Sequence, residues 1–273
     1  MGKHSIKNPD SFSDCIEMLV GNQAEQNYNF DILSERCFRM IVGSNAKTWI
    51  STQLSIEESL NNIYVNTGFK FNLHKANLLS LHDLHSISLI GAVFGPMDKN
   101  AFNQTVEDMY FLGGKHFIFL AGETEEFFIL HDPDSSPYIL IDKNQFLSSI
   151  SKENIYCITL DEYRKKSISY REIVKKYLSD ETHLVIKDIP PLFNKGIGGL
   201  ASYKYGLRLY LFYIKELIDL LTSSEKTKSL SLEVENFLLF AADGYQQCTW
   251  DHFLSIKERG EQLLHHLAEL YVQ

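Results

Sequence analysis

Three residues of this 273-residue chain have types and spacings that suit acyl-transfer chemistry: Cys15, His116 and Asp132. A cysteine attacks a carbonyl as its thiolate, so a reactive one needs a base or a positive potential beside it. Ser13-Asp14 ahead of Cys15-Ile16-Glu17-Met18-Leu19 reads as a helix start, with Gly21 as its stop. In a first turn, Cys15 would meet unpaired backbone N–H groups and the positive end of the helix dipole, and both favour thiolate. Cys15 also reads as a small buried hydrophobe, because free cysteine is among the most buried residue types.

His116 and Asp132 lie on the two arms of an expected hairpin. His116-Phe117-Ile118-Phe119-Leu120 and Phe127-Phe128-Ile129-Leu130 are aromatic and β-branched runs flanking Gly122-Glu123-Thr124-Glu125. If Gly122 faces Glu126, His116 falls directly across from Asp132, on the same face, with Cβ atoms roughly 5 Å apart. A carboxylate so placed fixes the tautomer and orientation of an imidazole whose other nitrogen serves a nucleophile. A loop one residue longer puts His131 there instead and turns Asp132 to the opposite face. Spacing alone leaves that choice open, and equally whether the pair is a dyad or a polar hairpin end.

The elements that must position these residues read as mixed α and β. A second helix is expected over 30–42, and the capping box Ser55-Ile56-Glu57-Glu58 opens another that ends near Gly68. Residues 86–94 read as a buried strand closed by the turn signal Gly95-Pro96. Asp132-Pro133-Asp134 reads as a turn, with strands over 138–141 and 155–160. Beyond Pro190-Pro191 the pattern becomes helical: Leu207, Tyr210, Leu211, Ile214, Leu217, Ile218 and Leu221 form one stripe. The expected organisation is a catalytic domain over 1–189 and a helical C-terminal subdomain over 190–273. Gly196-Ile197-Gly198-Gly199 has neither the preceding strand nor the Lys-Ser/Thr that a phosphate cradle requires.

Composition narrows the function classes. A 44% hydrophobic chain with 18 Phe and 14 Tyr can bury a sizeable core. A net charge of −9 without a basic block argues against nucleic acid as a partner. Residues 1–7 show no apolar stretch after their positive charges, and Leu207–Leu221 contains Arg208, Lys215 and Glu216, so neither a signal peptide nor a membrane span is expected. Four scattered cysteines form neither a disulfide framework nor a zinc pattern, and a reducing cytoplasm is the expected compartment. Cys37 reads as core, Cys157 as mid-strand, and Cys248 as lying near a helix start without triad partners. His74, His82 and His85 cluster in sequence, but no third ligand at matching spacing makes them a metal site. His265-His266 are adjacent residues that point apart on a helix.

The runs Gly95-Pro96-Met97-Asp98, Leu112-Gly113-Gly114-Lys115-His116-Phe117-Ile118 and His131-Asp132-Pro133 resemble the butirosin biosynthesis protein H family. An early cysteine, a histidine opening a strand and an Asp-Pro after the next strand match in order, and Gly199-Leu200-Ala201 resembles the start of the family's C-terminal region. The resemblance implies an α+β, papain-like cysteine protease fold akin to the C39 peptidases, with a C-terminal helical subdomain. It implies an acyltransferase of antibiotic biosynthesis, moving an acyl group from a carrier-protein phosphopantetheine thioester through an enzyme cysteine onto an amine. By position, Cys15 becomes the nucleophile, His116 the general base and acid, and Asp132 the orienting acid. The phosphopantetheine belongs to the acyl or peptidyl carrier protein, and the enzyme binds no cofactor of its own. A small amine or diamine is the expected acceptor. Papain-like enzymes usually carry Gln or Asn shortly before the cysteine as an oxyanion donor; here Asn8 is the only candidate, with the Cys15 N–H as a further donor. Asp98 is expected to line the substrate pocket. A cysteine peptidase or thioesterase with the same triad, or a non-catalytic scaffold, are the alternatives.

Overall fold

A computed structural model describes residues 11–23, 28–36, 40–42, 50–52, 54–98, 115–133, 136–151, 154–170 and 184–186, with 172, 173, 176, 255, 258, 259 and 262. The chain forms two compact units: Met1–Glu35 with Leu54–Ile168, and Arg36–Gln53 with Ser169–Gln273. The 189/190 boundary and the helical stripe beyond it lie outside the described residues.

The first unit is an α+β structure built on a six-stranded antiparallel sheet in the order β3-β8-β4-β5-β6-β7. Its strands are β3 (Phe69–Lys75), β4 (Ala92–Asp98), β5 (Lys115–Glu123), β6 (Phe127–Asp132), β7 (Ser136–Asp142) and β8 (Tyr156–Tyr163). Its helices are α1 (Ser11–Val20), α2 (Phe30–Leu33), α3 (Ile56–Thr67), α4 (Leu81–Ser88) and α5 (Lys143–Ile150). In the second unit, β1 (Met40–Val42) pairs antiparallel with β2 (Ile50–Thr52) and parallel with β9 (Leu184–Ile186).

Local chemistry explains where the elements stop. The Ser55/Glu58 capping box opens α3 as expected, and Gly68, at φ 85°, closes it in the left-handed conformation. The expected helix over 30–42 is instead the four-residue α2, then strand β1. Glu35 takes φ 66°, which ends the helical run, and the β-branched Ile41-Val42 pair with the strands of the second unit. The expected strand over 86–94 also divides. Ser80 and Asp83 form a second capping box, so 81–88 is α4, and the chain turns at Gly91 before β4 begins at Ala92. Gly95-Pro96 does not close that strand: β4 bulges there and continues to Asp98.

The sheet is packed by helices through large apolar side chains. Leu84 of α4 and Phe146 and Ile150 of α5 join Phe94, Ile118, Leu120, Phe128 and Leu130 in one core, in which Phe146 meets Phe94 and Phe128 edge to face. Tyr28, Phe30, Phe69 and Tyr163 form an aromatic cluster, with Phe69 stacked on Tyr163 at 4.2 Å. Each fully buried Phe stabilises by about 1.5–3 kcal/mol, so the scaffold under β5 and β6 is firmly set.

Candidate active site

His116 and Asp132 meet. Nε2 of His116 lies 2.8 Å from Oδ1 of Asp132, and each residue is only 5% exposed. With the carboxylate on Nε2, Nδ1 is the nitrogen that a thiol would use.

They do not meet by the direct pairing expected. Beside the turn, Glu123 pairs with Phe128 and Gly122 with Ile129. That register, continued, would set Asp132 level with Phe119, on the face away from His116. A bulge at Ala121 shifts the ladder by one, so Leu130 faces Leu120 and His131 faces Phe119. Asp132 thereby falls level with Ile118, on the His116 face and two residues along. The contact is diagonal, within reach of two long polar side chains. His131 occupies the other face, its ring edge-on to Phe119 and Tyr138, and does not take the place of Asp132.

Cys15 is carried by α1, which packs against β5. Ser11 Oγ accepts a hydrogen bond from the Phe117 N–H at 3.1 Å, and Phe12 meets Phe117 edge to face at 5.1 Å. Cys15 lies one turn beyond Ser11 on the same helix face and has no exposed surface. Its place in the helix corrects the expectation. The helix already runs from Ser11, so Cys15 is its fifth residue and not in the first turn. The N–H groups without intrahelical partners belong to earlier residues, and the dipole's influence falls off within that turn. The helix end therefore does little for a thiolate here, and the Cys15 N–H is engaged within the helix. Burial pushes the carboxyl of Glu17, on the same helix, up.

Asp98 is the last residue of β4, across from Lys115 and one position from the Met97–His116 pair. Asn8, Cys37, Cys248, His265 and His266 lie outside the described residues. Cys157 pairs with His74 and Phe94 in the centre of the sheet, and burial pushes its thiol up to about 12, so it is an inert packing residue. His82 and His85 lie on α4 and His74 on β3; the His85 ring binds Glu123, which also pairs with Lys143 at 3.0 Å. Among the described residues no group of three or more His, Cys, Asp or Glu could hold a metal ion. Nor is any described helix long and apolar enough to cross a membrane.

Sequence reasoning missed Ser11, Ala121 and the role of Gly95. Only Gly95 carried a signal, and Gly-Pro there reads as a turn before it reads as a bulge.

Compared with known proteins, the chain matches no protein-family model. No curated protein sequence matches it either.

Proposed function

We propose that this protein is a papain-like cysteine acyltransferase that forms an amide from a carrier-bound thioester, with Cys15, His116 and Asp132 as its triad. The buried His116–Asp132 hydrogen bond is the observation that carries this reading. A carboxylate on Nε2 leaves Nδ1 to take the Cys15 proton, and α1, which carries Cys15, is tied through Ser11 to β5, which carries His116.

The chemistry runs in two halves. His116 Nδ1 accepts the Cys15 proton, and the thiolate attacks the thioester carbonyl of the acyl-pantetheine donor. The C–S bond to pantetheine breaks, and its thiol leaves with the proton held by the imidazolium. The amine then attacks acyl-Cys15 as His116 takes a proton from its nitrogen. The acyl–sulfur bond breaks, the amide departs, and the proton returns to Cys15. Asp132 stays ionised and stabilises the imidazolium in both halves. Cys15 has no exposed surface, so the donor enters only as the covering groups part. The choice of transfer over the peptidase or thioesterase reading of the same triad rests on the family resemblance, not on that burial.

Partition of the acyl group tests this. With an acyl-pantetheine thioester and a diamine, the amide should form faster than free acid. The net charge of −9 makes a diamine the acceptor of choice, because its second ammonium is steered by the field. Free acid appearing at one rate with and without amine would move the assignment to a hydrolase.

A further inference from the structure

The peptide unit joining His116 to Phe117 is gripped from two sides. The β4 ladder opposes Phe94 to Ile118 and Met97 to His116, with Gly95-Pro96 bulged toward Phe117, while on the other edge the β6 ladder ends at the Phe119–His131 pair and leaves Phe117 without a pairing residue. Its N–H goes instead to Ser11 Oγ, 106 residues away in sequence and only 5% exposed. On the other side Gly95 comes so close that a Cβ there would lie 2.8 Å from the His116 carbonyl oxygen and run into the Phe117 ring. Serines near a helix start commonly turn back on their own local backbone; Ser11 is committed to a distant strand.

Ser11 and Cys15 stand four residues apart on one helix face, so a rotation or slide of α1 that moves the thiol also breaks the Ser11 bond. The partner in that bond is the residue after the imidazole. We propose that Ser11 is a positioning residue: its hydroxyl fixes the helix that carries Cys15 against the strand that carries His116, and so sets the thiol–imidazole geometry. This rests on the acyl-transfer reading above, and it assigns to that site a residue acting only through the two that react. Small misplacements of reacting groups have large effects on rate, so one buried hydroxyl suffices for the role.

The test titrates the Cys15 thiol by its ultraviolet thiolate absorbance in wild type, Ser11→Ala and Ser11→Thr, each against its own Cys15→Ala blank. Asp14, Glu17, His116 and Asp132 are common to all three proteins, so a shift reports geometry. In wild type the thiol should titrate below the ordinary cysteine value. Ser11→Ala should raise the midpoint by about one pH unit, a tenfold loss of thiolate near neutrality, and Ser11→Thr should restore it. A purely structural serine would lower the melting temperature and leave the midpoint of the folded protein unmoved; that result overturns the proposal. Should Ser11→Ala not fold, amide exchange of Phe117 in wild type decides: protection supports the clamp, and exchange at the rate of a frayed strand end overturns it. A wild-type Cys15 that titrates as an ordinary thiol overturns the acyl-transfer reading itself, and the role of Ser11 with it.

Discussion

At the scale of single residues, the site stands on one hydrogen bond between two buried groups. An imidazole with a carboxylate on Nε2 is held in one orientation and one tautomer, and Asp132→Asn removes the charge that stabilises its protonated form. His116→Ala removes the base entirely. Turnover should fall on the order of 10²–10⁴-fold for either change, with Asp132→Asn costing less than Cys15→Ala, because an orienting group forms no bond to substrate. His131→Ala should cost far less, because His131 lies among Phe119 and Tyr138 on the opposite face. Steady-state kinetics beside melting curves check this series, and a His131 variant worse than His116→Ala would reassign the base. The residue types were legible from the sequence. Their contact was legible only as a possibility, because face depends on the parity of the register, and no pattern of side chains reports a bulge at an alanine.

At the scale of elements, that bulge is the device that joins the pair. Inserting an alanine between Leu130 and His131 should push Asp132 one place along, level with Phe117 on the far face, and abolish turnover while β6 still pairs. Full activity in a folded insertion variant would contradict the register argument. The connection after α3 is a second test. Gly68 sits at φ 85°, where a Cβ would run into the Arg164 carbonyl oxygen, so Gly68→Ala should destabilise by more than about 1 kcal/mol in urea unfolding. Electrostatics bind three elements at Glu123, where His85 of α4 and Lys143 of α5 converge. Burial works to raise the Glu123 carboxyl, but the hydrogen bonds and charges of Lys143 and His85 outweigh it and hold the group below its usual value. A carboxyl depressed in the folded state stabilises at pH above its unfolded value, and that contribution is lost as pH falls through the folded one. Glu123→Gln should therefore be less stable than wild type near neutrality, with the difference closing in acid; an equal difference at both ends would show that the charge is not what matters. The Ser55 capping box announced α3 because both partners are local. The Phe69-Lys70-Phe71-Asn72-Leu73 alternation of β3 and the Ser80/Asp83 box are equally local signals. The end of α2 at Glu35 was not legible, since the chain there passes from one compact unit to the other and tertiary pairing of Ile41-Val42 overrides helix spacing.

At the scale of the whole molecule, the three residues of the proposed triad all lie in the first compact unit, on one helix and on one hairpin of its antiparallel sheet. The α+β class was legible from the aromatic and β-branched runs. The order of the sheet was not, because β3 and β8 pair across most of the unit and sequence spacing is silent on such contacts. A net charge of −9 bears on association with charged ligands, and not on the fold. The direct test is intact mass of the full chain incubated with an acyl-pantetheine thioester and no amine, for wild type, Cys15→Ala and Cys157→Ala. Wild type and Cys157→Ala should each gain one acyl mass, mapped to Cys15, and Cys15→Ala should gain none. An adduct that persists in Cys15→Ala, or no adduct on reduced wild type, would contradict Cys15 as the nucleophile.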